Sequence, residues 1–371
     1  MKPAFLVWNV LACASAMGGG CALIADYDFG AYAERPPGEG GGAAQGGGGS
    51  GGDGGSASIT TSGPGAGGGG GSGASGGGDT TLSILHTTED PLQSLAVDED
   101  HVYWTTSPTI DPTGTVERVD KRGEGHLTLA MNLDSPGGIR VDGMAVYWYS
   151  GSLANSQIRR WEKASSMATL LHSFNDGMLA LAGWDQWLYF SHGDTIMRME
   201  ADGGTATGII YPSKVASSIA ADATGVYWVD RGMLNSYDSE IWRANLDGSS
   251  PTRLAELQDF PFTIATDADK VYWGTAHGGV LSTRKDGTEA VFAHVAPAGT
   301  NTIVSGVVSD GKHVYYTYRN QVLRTPIEEA NPSTVFTYVR DLENIARDGS
   351  DLYIITRGSE GDVLKLSNLP P

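Results

Sequence analysis

Beyond residue 80 the apolar residues come in short runs cut by Asp, Gly and other polar residues, and one run recurs. It reads Val102-Tyr103-Trp104, Val146-Tyr147-Trp148, Leu188-Tyr189-Phe190, Val226-Tyr227-Trp228, Val271-Tyr272-Trp273, Val314-Tyr315-Tyr316 and Leu352-Tyr353-Ile354. The copies stand roughly 38 to 45 residues apart, the period of a four-stranded propeller blade. Successive large apolar residues break the alternation of a strand with one wet face. They predict a strand buried on both sides, as when sheets pack face to face around an axis. At this spacing the Tyr-Trp pairs read as core, rather than as a sugar-stacking platform.

The residues around each run follow a shared grammar. Five positions before the Tyr stands Asp98, Asp142, Asp222, Asp267, Asp310 or Asp348, each after a short apolar strand. An Asp there makes a tight turn, because its carboxylate accepts backbone N–H groups two positions on. The third copy has Trp184 at that position and Asp185 next, which predicts a turn of different geometry. A third strand follows as apolar, any, basic: Val116-Glu117-Arg118, Ile158-Arg159-Arg160, Ile196-Met197-Arg198, Ile241-Trp242-Arg243, Val322-Leu323-Arg324 and Val363-Leu364-Lys365. The Asp-Gly pairs at 202–203, 247–248 and 286–287 then turn the chain into a fourth strand. No long run has helical periodicity, so the fold class is all-β: a seven-bladed β-propeller of four-stranded antiparallel blades.

Closure needs one more strand. The last repeat ends at "VLKLSNLPP" without a fourth strand, while "TLSILH" (residues 81–86) precedes the first repeat without a blade of its own. Pairing the two joins the ends of the ring and removes an exposed edge. Leu82 to His86 is therefore expected to complete the last blade.

The preceding residues have a different character. Residues 1–21 combine one Lys, a short apolar stretch and small residues before Cys21, the pattern of a secretion signal. Both cysteines, Cys13 and Cys21, lie in that segment, so disulfides do not hold the body together. Residues 22–80 are dominated by Gly, Ser and Ala and read as a disordered tether. That stretch has no preceding strand and no Gly-Lys-Ser or Gly-Lys-Thr, which argues against a phosphate loop. Residues 81–371 form the propeller. A formal net charge of −19 repels a phosphate backbone, so nucleic acid is excluded as an expected partner.

Two resemblances add to this. Gly18-Gly19-Gly20-Cys21 resembles a bacterial lipoprotein signal, although it lacks the usual Leu three residues before the cysteine. The resemblance implies lipidation at Cys21; plain secretion with an incidental thiol is the alternative. Ala22, by similarity to lipoprotein sorting rules, implies the outer membrane of the cell envelope. The fourth repeat, residues 226–254, resembles the YWTD-type propeller repeat of low-density lipoprotein receptors. Trp228 and Asp230 stand at the motif's Trp and Asp, and Ile241, Arg243, Leu246, Asp247 and Gly248 match the following strand and turn. Other copies end the motif with Thr106, Ser150, Thr275 or Tyr318. YWTD domains have six blades where this chain has seven motifs, and Cys-rich flanking modules are absent. The resemblance implies a propeller and a binding role, and the whole chain is similar to secreted bacterial propellers of unknown role.

Chemistry is sparse in the sequence. The eight histidines include no pair at three- or four-residue spacing, and the body has no Cys and no Gly-x-Ser-x-Gly elbow. No catalytic residue, cofactor or metal site is expected from these patterns. Propeller ligands usually meet the face formed by the connections between strands two and three and between blades. Arg231, Arg319 and Arg357, each four residues after a motif Tyr, fall there with Asp230, His192, His277 and Tyr318. Three guanidinium groups on one rim could hold a carboxylate, a phosphate or a partner; solvated residues paired with nearby acids are the plainer reading. The expectation is a monomeric, extracytoplasmic binding or scaffolding propeller, reaching the membrane only through a lipid anchor. Its ligand would be a protein or a small anionic or glycan molecule. The alternatives are a propeller enzyme, a lyase or hydrolase with an axial active site, and an envelope assembly factor.

Overall fold

A computed structural model describes residues 80–108, 113–152, 155–175, 177–212, 214–231, 238–258, 260–295 and 302–369. Residues 1–79, assigned above to the leader, the Cys21 lipidation site and the tether, lie outside the described residues. Among the described residues, 28 strands form seven four-stranded antiparallel sheets arranged as a seven-bladed β-propeller.

Strand β1 (Thr81–Thr88) precedes the first blade. Blade 1 contains β2 (Leu92–Val97), β3 (His101–Thr106), β4 (Thr113–Asp120) and β5 (Leu127–Asp134). Blade 2 contains β6 (Ile139–Val141), β7 (Ala145–Ser152), β8 (Asn155–Glu162) and β9 (Met167–Phe174). Blade 3 contains β10 (Leu181–Trp184), β11 (Trp187–His192), β12 (Thr195–Glu200) and β13 (Thr207–Ile210). Blade 4 contains β14 (Val215–Asp222), β15 (Gly225–Arg231), β16 (Ser239–Ala244) and β17 (Thr252–Gln258). Blade 5 contains β18 (Pro261–Thr266), β19 (Lys270–Thr275), β20 (Gly279–Arg284) and β21 (Phe292–Val295). Blade 6 contains β22 (Val307–Ser309), β23 (His313–Tyr318), β24 (Gln321–Pro326) and β25 (Ser333–Thr337). Blade 7 contains β26 (Leu342–Asp348), β27 (Asp351–Thr356) and β28 (Gly361–Ser367).

The fourth strand of blade 7 is β1, in the sheet order β1-β28-β27-β26. The register runs from Thr81 opposite Ser367 to Thr88 opposite Gly361, so the closing strand extends two residues beyond the predicted His86. Between Ile84 and His86 the pairing slips, leaving Leu85 as a bulge. Leu129, Leu171, Ile209, Leu254 and Val335 occupy matching slips in the outer strands of blades 1, 2, 3, 4 and 6. The closing strand thus keeps the geometry of its covalently continuous counterparts.

The two-sided burial of strand two has a direct structural cause. Tyr103 packs in the cluster between blades 1 and 2, with Val146 and Trp148. Trp104, the next residue, packs in the cluster between blades 7 and 1, with Tyr353 and Val363. Tyr227 and Trp228 divide in the same way between the seams of blades 4/5 and 3/4. Trp104, Trp148 and Trp273 have no exposed surface and Trp228 is 2% exposed, so the aromatics are core residues.

The Asp turns form as expected in five blades. Asp98 Oδ1 accepts hydrogen bonds from the backbone N–H groups of Asp100 (2.9 Å) and His101 (2.7 Å). Asp142, Asp222, Asp267 and Asp310 bond the second N–H after them in the same way. Blade 3 lacks this cap: Trp184 pairs directly with Trp187, and Asp185 adopts a left-handed φ of 51°.

Candidate functional site

The two ends of the propeller are built from different chemistry. One end carries the turns between strands one and two and between strands three and four. There the acids do more than shape turns. The second carboxylate oxygen of Asp98 accepts the Tyr103 hydroxyl (2.8 Å) and the ammonium of Lys163 from blade 2 (2.6 Å). Lys285 of blade 5 binds Asp222 of blade 4 at 2.5 Å, and Lys121 of blade 1 binds Asp348 of blade 7. Asp267 instead holds the Tyr272 hydroxyl (2.6 Å) and Ser309 of blade 6 (2.8 Å). Burial opposes the charge on these carboxylates, but the hydrogen bonds outweigh it and hold Asp98, Asp222, Asp267 and Asp310 below their ordinary value. The tyrosines respond in the opposite sense: burial first, then the neighbouring acids, push the hydroxyls of Tyr103 and Tyr272 up.

The opposite end carries the connections between strands two and three and between blades, and the residues singled out from the sequence lie there. Arg319 and Arg357 flank one connection: the Leu342 N–H bonds the Arg319 carbonyl, and the Arg357 N–H bonds the Asp341 carbonyl, each at 2.7 Å. The Arg357 guanidinium is paired with Glu343, and Arg319 Nε donates to Thr302 Oγ1 at 3.0 Å. Arg231 lies over the Phe260 ring, 5.2 Å from its centre. The three arginines are therefore each fixed by a different neighbour. Asp230 is buried and caps the Lys214 N–H at 3.0 Å. Tyr318 is buried in the apolar seam between blades 5 and 6. His277 is exposed in the turn between β19 and β20.

His192 stands in a more promising setting. It stacks on Phe174 with ring centres 4.9 Å apart, and His172 packs at a tilt against the same ring at 4.7 Å. These three residues, with Ser173, Asn175 and Met197, line an open depression of about 440 Å³ at the seam of blades 2 and 3. Burial, reinforced by the neighbouring His192, holds His172 below the usual imidazole value. A smaller depression of about 200 Å³ opens on the same face between blades 1 and 2, lined by Asn132, Asp134, Ser150, Asn155, Gln157 and Arg159. His172 was not reached from the sequence, because it lies on an outer strand whose partner across the seam is set only by the ring.

A third grouping lies at the closing seam. His86 of β1, Glu117 of β4 and His126, one residue before β5, bring ligand-type atoms within 4.8 Å of one another. Linear spacing could not reveal it, because β1 pairs in the sheet of blade 7 and only its packing on blade 1 brings His86 to Glu117 and His126.

No family model matches the chain, and no curated protein matches it in sequence. Among solved structures, the chain is similar to the Saccharomyces cerevisiae protein Sqt1, at 9% identity and a TM-score of 0.53 over 72% of this chain and 81% of that one. It is similar to the computationally designed Ika8 protein, at 12% identity and a TM-score of 0.50 over 76% and 98%. A chain of a nidogen/laminin complex aligns over 54% of this chain and 82% of its own, at 18% identity and a TM-score of 0.43. At these identities the likeness to Sqt1 and Ika8 concerns the fold alone, which the seven four-stranded sheets of this chain make a β-propeller.

Proposed function

We propose that this chain is a binding propeller that presents the face formed by the strand two–three and inter-blade connections to a glycan or small anionic ligand. The observation that carries the reading is the depression where His172 and His192 flank Phe174, with Asn175 and Ser173 at its edge. Its volume falls in the range of small-molecule pockets; Phe174, 6% exposed, is the buried support on which the two imidazoles pack, and the imidazoles with the exposed Ser173 and Asn175 offer the hydrogen-bonding groups that suit a sugar or a carboxylate-bearing fragment. The fixed arginines of blades 6 and 7 extend the same face toward a larger partner. The leader pattern, Cys21 and the Gly-rich stretch support display outside the cytoplasm on a lipid anchor.

The test is calorimetric titration of the protein with defined envelope glycans and muropeptides that carry free carboxylates. One class should bind, and His172→Ala with His192→Ala should weaken it by about tenfold or more, whereas Arg319→Ala with Arg357→Ala should not. Equal binding by the histidine variant, or none by the unmodified protein, would remove the reading. Mass spectrometry of the mature N-terminus tests the anchor: acylation of Cys21 supports it, and an unmodified cysteine discards it.

A further inference from the structure

At the closing seam a carboxylate stands where the repeat otherwise places a different kind of side chain. The strand-three residue paired with the motif's third position is Arg159, Met197, Trp242, Leu281, Leu323 and Leu364 in blades 2 to 7, but Glu117 in blade 1. Glu117 is only 8% exposed. A buried carboxylate is costly unless partners compensate it, and here they are specific. Thr115 donates to Oε1 at 2.7 Å, and Oε2 faces His126 Nε2 at 2.9 Å and His86 Nε2 at 3.9 Å.

The histidines show the same kind of departure. Two residues before the strand-four partner of that position, the sister blades carry Ala168, Ala206, Pro251, Val291 and Pro332, where blade 1 has His126. The rings of His86 and His126 stack at 4.2 Å with an interplanar angle of 12°, and His126 also stacks on the indole of Trp104 at 5.9 Å. Blade 1 and the strand that closes blade 7 have thus collected two imidazoles and one carboxylate in a position that the other seams fill mainly with apolar groups.

We propose that His86, Glu117 and His126 bind a divalent transition metal of the zinc class, and that the ion ties the closing strand β1 to blade 1. Two imidazole nitrogens and one carboxylate oxygen match the donor preference of zinc, whereas calcium and magnesium favour all-oxygen sets. Bonds of about 2.0–2.2 Å in a tetrahedron place ligand atoms roughly 3.4 Å apart, within the range these donors span. The His126 side chain is 39% exposed, so it has room to turn onto the ion. Three protein donors leave a fourth position for water. The three donors come from β1 and blade 1, so the ion would fix β1 against blade 1 and hold it as the edge with which β28 pairs.

The experiment uses the full chain with Cys13→Ser and Cys21→Ser, so that no thiol competes, and without a histidine tag. Zinc is titrated by calorimetry, cobalt is followed by its visible ligand-field absorption, and the thermal midpoint is read with zinc and with chelator. One equivalent should bind, cobalt should give the absorption of a low-coordinate site, and zinc should raise the midpoint. Glu117→Leu places the residue of three sister blades at this position. It should fold at least as stably in chelator and lose about a hundredfold or more in zinc affinity, beyond the 10- to 100-fold that loss of an outer-shell partner costs. His86→Ala should abolish the zinc-dependent rise in midpoint. Absence of zinc binding, or affinity unchanged in Glu117→Leu, leaves only a His126–Glu117 hydrogen bond with His86 stacked beside it and overturns the proposal. A midpoint rise that persists in His86→Ala overturns the tie to β1.

Discussion

The Lys163 ammonium of blade 2 sits 2.6 Å from the Asp98 carboxylate of blade 1, and it also donates to the Asp142 carbonyl of its own blade at 2.5 Å. Lys285 repeats the arrangement with Asp222 and the Asp267 carbonyl. One lysine therefore touches the turns of two adjacent blades and fixes their relative height. Both members of the first pair are largely withdrawn from water, at 23% and 15% side-chain exposure. Lys163→Met should lower unfolding free energy by about 1–3 kcal/mol, because Asp98 loses a charged partner but keeps its N–H donors. Asp98→Ala should cost more, since the turn cap and the Tyr103 bond go with it. Urea unfolding of both single variants and the double variant reads the coupling between them. Strictly additive effects would show that the clasp contributes nothing of its own.

Acid should loosen the seams in a defined window. Asp98, Asp222, Asp267 and Asp310 are all held below the ordinary carboxylate value of 3.8 in the folded chain. A depressed folded value means that the unfolded chain binds protons first as pH falls. The stabilisation is thus complete above about pH 5, and it drains away as pH drops through 3.8 and on through the lower folded values. Thermal midpoints measured from pH 6 down to pH 2 should show a steep acid limb. In the Asp98→Asn, Asp267→Asn double variant that limb should be shallower, with a lower plateau near neutral pH. Parallel profiles would mean that these acids titrate alike in both states.

The blades were legible in the sequence because their signals are local. A carboxylate two residues from the N–H it caps, a Gly that relaxes at positive φ in Asp-Gly turns, and adjacent Tyr and Trp feeding opposite seams all act within a few residues. The lysine clasps were less legible. Lys121, Lys163 and Lys285 each follow strand three at a similar offset, but their partners are set by the ring. The His86, Glu117 and His126 grouping escaped for a related reason, since its members meet through the packing of β1 on blade 1 and not through a local spacing. One signal was present all the same: Glu117 is the only acid at its position in the seven aligned third strands. The arginines of the candidate face show the converse limit. Their shared offset was visible, but the Glu343, Thr302 and Phe260 contacts that engage each of them were not.

Ring closure has a thermodynamic signature of its own. Leu82 and Leu85 of β1 are 2% and 5% exposed, and they belong to the seams on either side of blade 7. Leu85→Ala should lower unfolding free energy by about 2–4 kcal/mol through loss of buried surface and the cavity left behind. Deleting residues 81–88 removes both leucines, the β28 pairing and His86 together, and exposes a sheet edge. The deletion should lower the thermal midpoint far more than Leu85→Ala and promote association, read by calorimetry and light scattering. A deletion variant with the midpoint of the intact chain would show that the ring is held shut without β1.

The tryptophans separate burial from residue type. Trp228 is 2% exposed and packed between blades 3 and 4, where it stacks with Trp242 at 6.1 Å. Trp184, at the tip of the blade 3 turn that lacks an Asp cap, is 38% exposed. Trp228→Ala should cost about 3–5 kcal/mol, since the indole leaves a cavity that two sheets cannot collapse to fill. Trp184→Ala should change stability by well under about 1 kcal/mol, within the ordinary range for surface positions. Denaturant titration of the two variants compares them directly, with Trp184→Asp as a third arm. Aspartate there restores the residue that caps the turn in blades 1, 2, 4, 5 and 6, so it should match or exceed the stability of Trp184→Ala. If Trp184→Ala were as damaging as Trp228→Ala, the exposed indole would have to be packing against something the isolated ring does not contain, and the turn face of blade 3 would become an interface.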